Sequence, residues 1–372
     1  VDAKGKGKEG LILNKIRQNP FISQQELADQ LNISRSAVAG MIAGLVKKGQ
    51  ILGRAYVMAE KERVMCIGGA NIDRKARMDA PLAMGTSNPV CVSRSFGGVA
   101  RNVAENLARV GVSSSLMTVV GEDADGKAMV ENASKHGIDV NLSRELPGCR
   151  TGNYTAVLNS DGEMLFALAD MDIYEHISIP MLEASWPQIR ASQMVVVDTN
   201  LPKDVLYWIL QQGSCESLTI CLLPVSVPKA KRLPMDLSGM DLFVGNRDEI
   251  GAIVNQGVTT SAEVERAIQR LIDKGVNRAV VTLGAEGAIY LEAGGAVGWV
   301  PAIEAKVVDV TGAGDAFATG VITGCARGVD LKEACQLGAL LAKATLESET
   351  SVAPSMISER LVKQWEVEHV VH

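Results

Sequence analysis

From residue 63 onward, short apolar runs recur with helix-length stretches between them, and most of the runs end on glycine or polar side chains. The runs fall at 64–67, 116–120, 194–198, 219–223, 242–244 and 280–282. Uninterrupted apolar runs of this length suit strands covered on both faces, as in a parallel sheet. Strand and helix in alternation fold into an α/β/α sandwich, with a mostly parallel sheet between two helical layers. Such a sheet opens a crevice beyond the carboxyl ends of its strands, where this chain puts its polar and glycine-rich segments. The expected fold class is α/β.

The segment with the sharpest chemistry is Val-Val-Asp-Val-Thr-Gly-Ala-Gly-Asp-Ala-Phe at 307–317. Gly312, Ala313 and Gly314 stand between Thr311 and Asp315, and an apolar helical run follows over 316–326. A Gly-Ala-Gly run lets backbone N–H groups converge. The helix behind it adds unpaired N–H groups and partial positive charge, which makes a hole for an anion. A carboxylate at the lip of that hole does not help to bind phosphate. Asp315 makes sense there as a base that takes the proton from a hydroxyl attacking phosphorus. Read in isolation, the same residues also describe a glycine-rich turn with Asp as helix cap.

The first strand runs into Gly68-Gly-Ala-Asn-Ile-Asp73. Asp73 can accept from two vicinal hydroxyls, and Asn71 can donate and accept. An Asx-turn explains the same residues without a ligand. Phe96-Gly97-Gly98-Val-Ala-Arg-Asn102 precedes a helical pattern through Val103, Leu107 and Val110. The glycines let backbone approach a ligand, and Asn102 projects from the first helical turn. Residues 151–158 and 163–168 alternate around Asn159-Ser-Asp-Gly162, which predicts a hairpin. Further on, Asn246-Arg-Asp-Glu249 reads as a helix start with an acidic first turn.

The first 61 residues read differently. They hold ten Lys and Arg against five Asp and Glu, a balance of +5, so the remainder carries −11 of a chain at −6. Residues 9–60 predict three short helices and a two-stranded wing around Gly53-Arg54. A capping box at Ser23 to Glu26 starts the second helix. Ser34 or Ser36 starts the third, whose core stripe is Val38, Met41, Ile42, Leu45 and Val46. This resembles a winged helix-turn-helix of bacterial regulators. Arg35, Ser36, Lys47, Lys48 and Arg54 could meet DNA phosphates. The outer face of the third helix is Ala37, Ala39, Gly40, Ala43 and Gly44, which cannot make bidentate base contacts. A structural or dimerising role is the other reading.

Composition narrows the setting. No apolar run reaches the roughly 18 residues of a membrane span, and the Lys- and Gly-rich start lacks the apolar core of a signal peptide. Seven cysteines without a Cys-x-x-Cys pair suit a reducing, cytoplasmic setting. Four dispersed histidines give no metal cluster.

The 307–317 segment matches, residue for residue, the signature Asp-Thr/Val-Thr-Gly-Ala-Gly-Asp of the ribokinase-like, PfkB-type carbohydrate and nucleoside kinases. Gly97-Gly-Val-Ala-Arg-Asn102 matches their Gly-Gly-x-x-x-Asn signature, and the resemblance runs from residue 63 to about 365. It implies a winged-helix domain at 1–61 and a kinase domain at 62–372, with a small β-lid from 75–96 and 151–169 that keeps water from the transfer. It implies a catalytic base at Asp315 with the anion hole of Gly312, Ala313 and Gly314. The sugar falls to Asn71, Asp73, Gly97, Gly98 and Asn102. ATP falls to Asn246, Glu249, Thr282, Gly284, Gly287 and Thr311, and Mg²⁺ to Glu249 through water. In many relatives a K⁺ ion lies beside the anion hole, and Asp309 matches its Asp ligand. Lids of this kind often dimerise, which implies a homodimer.

Within the family the chain resembles bacterial pseudouridine kinases, through Gly69-Ala-Asn-Ile-Asp73, Ser87-Asn88-Pro89, Gly162-Glu-Met-Leu165, Asp170-Met-Asp-Ile173 and Asp198-Thr-Asn200. That adds Ser87, Asn88, Asp170 and Asn200 to the substrate side. The group tends to have Asn-Asp-Met-Asn where this chain has Ala169-Asp-Met-Asp172, and Asp-Pro-Val-Ser where it has Leu223-Pro-Val-Ser226. The implied reaction is phosphorylation of a ribonucleoside 5′-hydroxyl, pseudouridine first. Inosine, cytidine or a sugar is the alternative acceptor, and a nucleoside-responsive DNA-binding regulator is the alternative function.

Overall fold

Valine, isoleucine and leucine fill the strands of an eight-stranded sheet at the centre of the larger unit of the chain. The computed structural model describes residues 7–19, 22–52, 62–354 and 360–365. In chain order the strands are β1 (Val64–Ile67), β2 (Asn71–Met78), β3 (Val90–Gly97), β4 (Ser114–Met117), β5 (Val119–Gly121), β6 (Arg144–Leu146) and β7 (Asn153–Leu158). They continue as β8 (Met164–Asp170), β9 (Met194–Asp198), β10 (Ile220–Leu223), β11 (Leu242–Asn246), β12 (Arg278–Thr282), β13 (Ala288–Glu292) and β14 (Gly298–Val300). The central order is β14-β13-β12-β11-β10-β9-β1-β4. It is parallel from β4 to β12 and antiparallel at β13 and β14. From β1 the chain goes out to β4, then returns to the other side of β1 as β9. The switch point, where a crevice opens, lies between the ends of β1 and β9.

The apolar runs are strands as expected, with small differences of extent. The run at 116–120 divides at Thr118 into β4 and β5, and β5 pairs with β6 instead of joining the central sheet. The β13–β14 pair had no clear sequence signal.

A second sheet, ordered β3-β2-β7-β8, is the lid. It begins earlier than expected. Asn71 and Asp73 do not sit on a turn after β1 but on the first lid strand, because the chain turns at Gly68–Ala70 and resumes extended pairing at Asn71 against Gly97. Residues 79–89 carry no strand. Side chains of paired residues share a face, so Asp73, Ser95, Tyr154 and Ala169 lie on one face. Ile72, Phe96, Asn153 and Asp170 lie on the other.

The residues fall into two compact units, 63–179 with 194–372 and 1–62 with 180–193. The smaller unit has helices Lys8–Gln18, Gln24–Leu31 and Arg35–Lys47. They close on Ile12, Ile16, Leu27, Val38, Ile42 and Leu45. The Ser23–Glu26 capping box is formed, and Ser34 caps the third helix. Val46 departs from the expected stripe and is exposed. The expected wing at Gly53-Arg54 lies outside the described residues.

Candidate active site

Asp73 and Asn71 are two apart on β2 and point the same way. The Asn71 Nδ2 donates to Asp73 Oδ1 at 2.6 Å. Burial pushes the Asp73 carboxyl above its usual range, while Asn71 and the positive Arg101 and Lys75 pull it back. Gly97 faces this pair. A Cβ there would fall on the Asp73 carboxylate, and one on Gly98, at φ 98°, would fall on the Gly69 backbone. Only glycine lets the end of β3 pass so close before the helix Val99–Arg109 begins.

That helix brings Asn102 across to Asp315. Asn102 Nδ2 donates to Asp315 Oδ2 at 2.7 Å, and its Oδ1 accepts from Arg101 at 2.8 Å. Arg101 also donates to the Phe96 carbonyl at 2.7 Å and is ion-paired with the buried Glu105. A carboxylate reached from β9 ties this side together. Asp198 is fully buried and accepts from the backbone amides of Gly69 (2.8 Å), Ala100 (3.0 Å) and Asn200 (2.8 Å). Burial raises its carboxyl, and the three amides counter this.

Asp315 stands in the first turn of the helix Ala313–Ala326. The N-cap is Gly312 at φ 81°, where a Cβ would strike the Ser351 carbonyl. Ala316 donates to the Gly312 carbonyl at 2.9 Å and Ala313 reaches back to the Val310 carbonyl at 3.4 Å, which leaves the Gly314 and Asp315 amides at the open helix end. Burial pushes the Asp315 carboxyl up to about 7, against the Asn102 hydrogen bond, and Asp198, Glu249 and Asp73 add to the rise. Just upstream, Asp309 Oδ1 accepts from the Thr311 amide (2.9 Å) and hydroxyl (2.7 Å), and its Oδ2 meets Lys75 of β2.

Two cavities meet at Gly314. A small one of about 140 Å³ is lined by Asp315, Glu249, Asn246 and Leu223. A large, mainly apolar one of about 740 Å³ lies between Gly284, Ile303, Ala339 and Leu346. Thr282 and Gly314 line both. Gly287, at φ 99°, packs where a Cβ would hit the Val300 carbonyl. Asn246 and Glu249 form a capping box. Burial lifts the Glu249 carboxyl to about 7. One of its oxygens takes the Asn246 amide at 2.9 Å. Among the described residues no group of three acidic, Cys or His side chains could cage a metal ion. A lone carboxylate beside the helix end fits Mg²⁺, which keeps several waters and binds mostly to phosphates.

The structure thus gathers Asn71, Asp73, Gly97, Gly98, Asn102 and Asp315 on one side, and Asn246, Glu249, Thr282, Gly284 and Gly287 on the other. It does not gather every expected residue. Ser87 is exposed, and Asn88 spends its amide on Ala83 and Thr86 of its own loop. Asp170 is exposed on the lid face opposite to Asp73, 3.8 Å from Arg150. Asn200, by contrast, is brought in: it is buried, its amide donates to Asp198, and its Oδ1 is held by Lys229. Lys75, Arg101, Asp198 and Lys229 join the site without being among the residues expected there. Arg101 and Asp198 lie inside recognisable motifs, whereas nothing local marks Lys75 or Lys229.

The profile of the pfkB family of carbohydrate kinases matches residues 61–357, and that of the MarR family matches residues 8–52. An uncharacterised sugar kinase, YeiI, of Escherichia coli is 29% identical, over 95% of this chain and 97% of that protein. The pseudouridine kinase of Escherichia coli is also 29% identical, over 80% and 95%. A solved carbohydrate kinase from Agrobacterium tumefaciens superposes with a TM-score of 0.69 at 29% identity, over 82% and 96%. The matched span takes in the sheet, the lid and the Asp315 loop, so the chain belongs to the pfkB family of carbohydrate kinases and is a phosphotransferase acting on an alcohol.

Proposed function

We propose that this kinase transfers the γ-phosphoryl group of ATP to the 5′-hydroxyl of a ribonucleoside, with pseudouridine the first choice. The observation that carries the reading is the 2.7 Å hydrogen bond from Asn102 to Asp315. It joins the Asp73 side of the crevice to the helix end that can hold a phosphoryl group. Asp73 and Asn71 hold the ribose hydroxyls, and Asn102 sets the position of the Asp315 carboxylate. Asp315, with a carboxyl near 7, takes the proton of the attacking hydroxyl close to the working pH. The amides at Gly312 to Gly314 face the charge that develops on the transferred group. The large apolar cavity beyond Thr282 suits a nucleotide base. Mg²⁺, held through its water beside Glu249, would neutralise phosphate charge.

Two positions bear on the choice of acceptor. Ala169 lies in the lid row of Asp73, and Leu223 lines the small cavity with Asp315. Both are apolar where pseudouridine kinases tend to have polar residues. The outer lid face exposes Val92, Phe166 and Leu168, which supports a homodimer joined through the lids. The MarR match supports contact with DNA through the helical head.

The test is ADP release with ATP and Mg²⁺ across pseudouridine, uridine, cytidine, inosine and ribose. Preference for pseudouridine is the expected result. Preference for another acceptor keeps the chemistry and makes Ala169 and Leu223 the first residues to exchange. No turnover with any of them defeats the reading.

A further inference from the structure

We propose that the Lys75 ammonium is a built-in cation at Asp309, the carboxylate that the family resemblance marks as a potassium ligand. Lys75 follows Asp73 by two residues on β2, so its side chain leaves the lid on the same face. It crosses to the loop ahead of the anion hole, where Nζ meets Asp309 Oδ2 and lies 3.1 Å from Thr311 Oγ1. The side chains of Lys75 and Asp309 are 34% and 23% exposed, so the pair is partly shielded from solvent. The other oxygen, Asp309 Oδ1, is taken by the Thr311 amide and hydroxyl.

Both oxygens of Asp309 are thus engaged, one of them by a positive charge. A metal ion there would have to displace Lys75 and then sit beside a second cation. The residues present do not fit an added monovalent ion. An ammonium is itself a compact point charge with three donors, and two oxygens already face it. Its effect passes along the chain. Lys75 neutralises Asp309, Asp309 fixes Thr311, and Thr311 leads into the left-handed Gly312 that opens the helix of Asp315. The lid strand that carries the sugar-side residues therefore also holds the loop of the anion hole. The proposal depends on phosphoryl transfer only for its activity readout.

The 372-residue chain is melted in equal concentrations of sodium, potassium and choline chloride, as wild type, Lys75→Met and Lys75→Gln. The wild type is expected to melt at one temperature in all three salts. The variants are expected to melt lower and to regain part of the loss in potassium, because an ion that binds only the folded form stabilises it. Their ADP release should rise severalfold with potassium, while that of the wild type does not. A wild type that potassium stabilises or activates over sodium overturns the proposal. So do folded variants that melt alike in all three salts. Should neither variant fold, the wild-type salt series decides alone. Absence of kinase turnover would defeat the proposed reaction and leave the melting result intact.

Discussion

Asn102 and Asp315 are 213 residues apart in sequence and 2.7 Å apart in space, with the Asn102 amide donating to the carboxylate. Asp315→Asn removes the base and keeps the shape. Turnover should fall by about 10²–10⁴-fold, with the far-ultraviolet dichroism unchanged. Asn102→Ala leaves the base but frees its position, and should cost up to about 10²-fold. Steady-state rates of the two variants check the order.

The Asp315 carboxyl sits near 7 instead of its ordinary 3.8. In the free enzyme it is increasingly protonated below pH 7, so kcat/KM should fall about tenfold per pH unit there. The folded form holds this proton more tightly than the unfolded chain does. The group's contribution to stability is therefore full below pH 3.8 and lost as pH rises through about 7. Asp315→Asn should be more stable than wild type at pH 8, with the gap closing toward pH 4. Melting curves at both pH values test the sign.

Gly97 leaves no room for a Cβ because the Asp73 carboxylate occupies the space. Gly97→Ala must move that carboxylate. The clash is with the end of a side chain, so the cost falls on the position of the carboxylate more than on the fold, and KM for the acceptor should rise by up to about 10²-fold with a smaller change in KM for ATP. Initial rates with each substrate varied in turn distinguish the two.

Val92, Phe166 and Leu168 share the lid face away from Asp73 and are 54%, 43% and 61% exposed. If two lids meet through this face, Leu168→Asp puts a charge into the contact. Light scattering should give a dimer for the wild type and a monomer for the variant.

The helix Arg35–Lys47 exposes Ala37, Gly40 and Ala43, while Lys48 is paired with Glu9 at 2.7 Å. Side chains this small cannot make the bidentate hydrogen bonds that best discriminate bases, so binding to DNA should be weak, salt-sensitive and nearly indifferent to sequence. A gel shift on two unrelated duplexes at two salt concentrations tests this, and strong preference for one duplex contradicts it.

The six strands from β4 to β12 of the central sheet could be read from the sequence because each coincides with a short, mainly apolar run, whereas β13 and β14 carry no such run. The anion loop could be read because Gly312-Ala-Gly-Asp315 concentrates its chemistry in a few neighbouring positions. Lys75 and Lys229 could not be read, since their partners are 234 and 29 residues away. Asp170 shows a subtler failure. It is next to Ala169, but alternation along β8 turns the two to opposite faces, and only the pairing register tells which one accompanies Asp73.

The Asp198 carboxylate binds amides of Gly69 and Ala100, 129 and 98 positions earlier in the chain. Contacts of such separation form late, because the intervening loop must first be closed. The Gly69 and Ala100 amides therefore gain this partner only once β9 has been made and pairs beside β1. If Asn71, Asp73 and Asn102 hold the acceptor as proposed, a chain cut before β9 is expected to lack acceptor binding although all three are present.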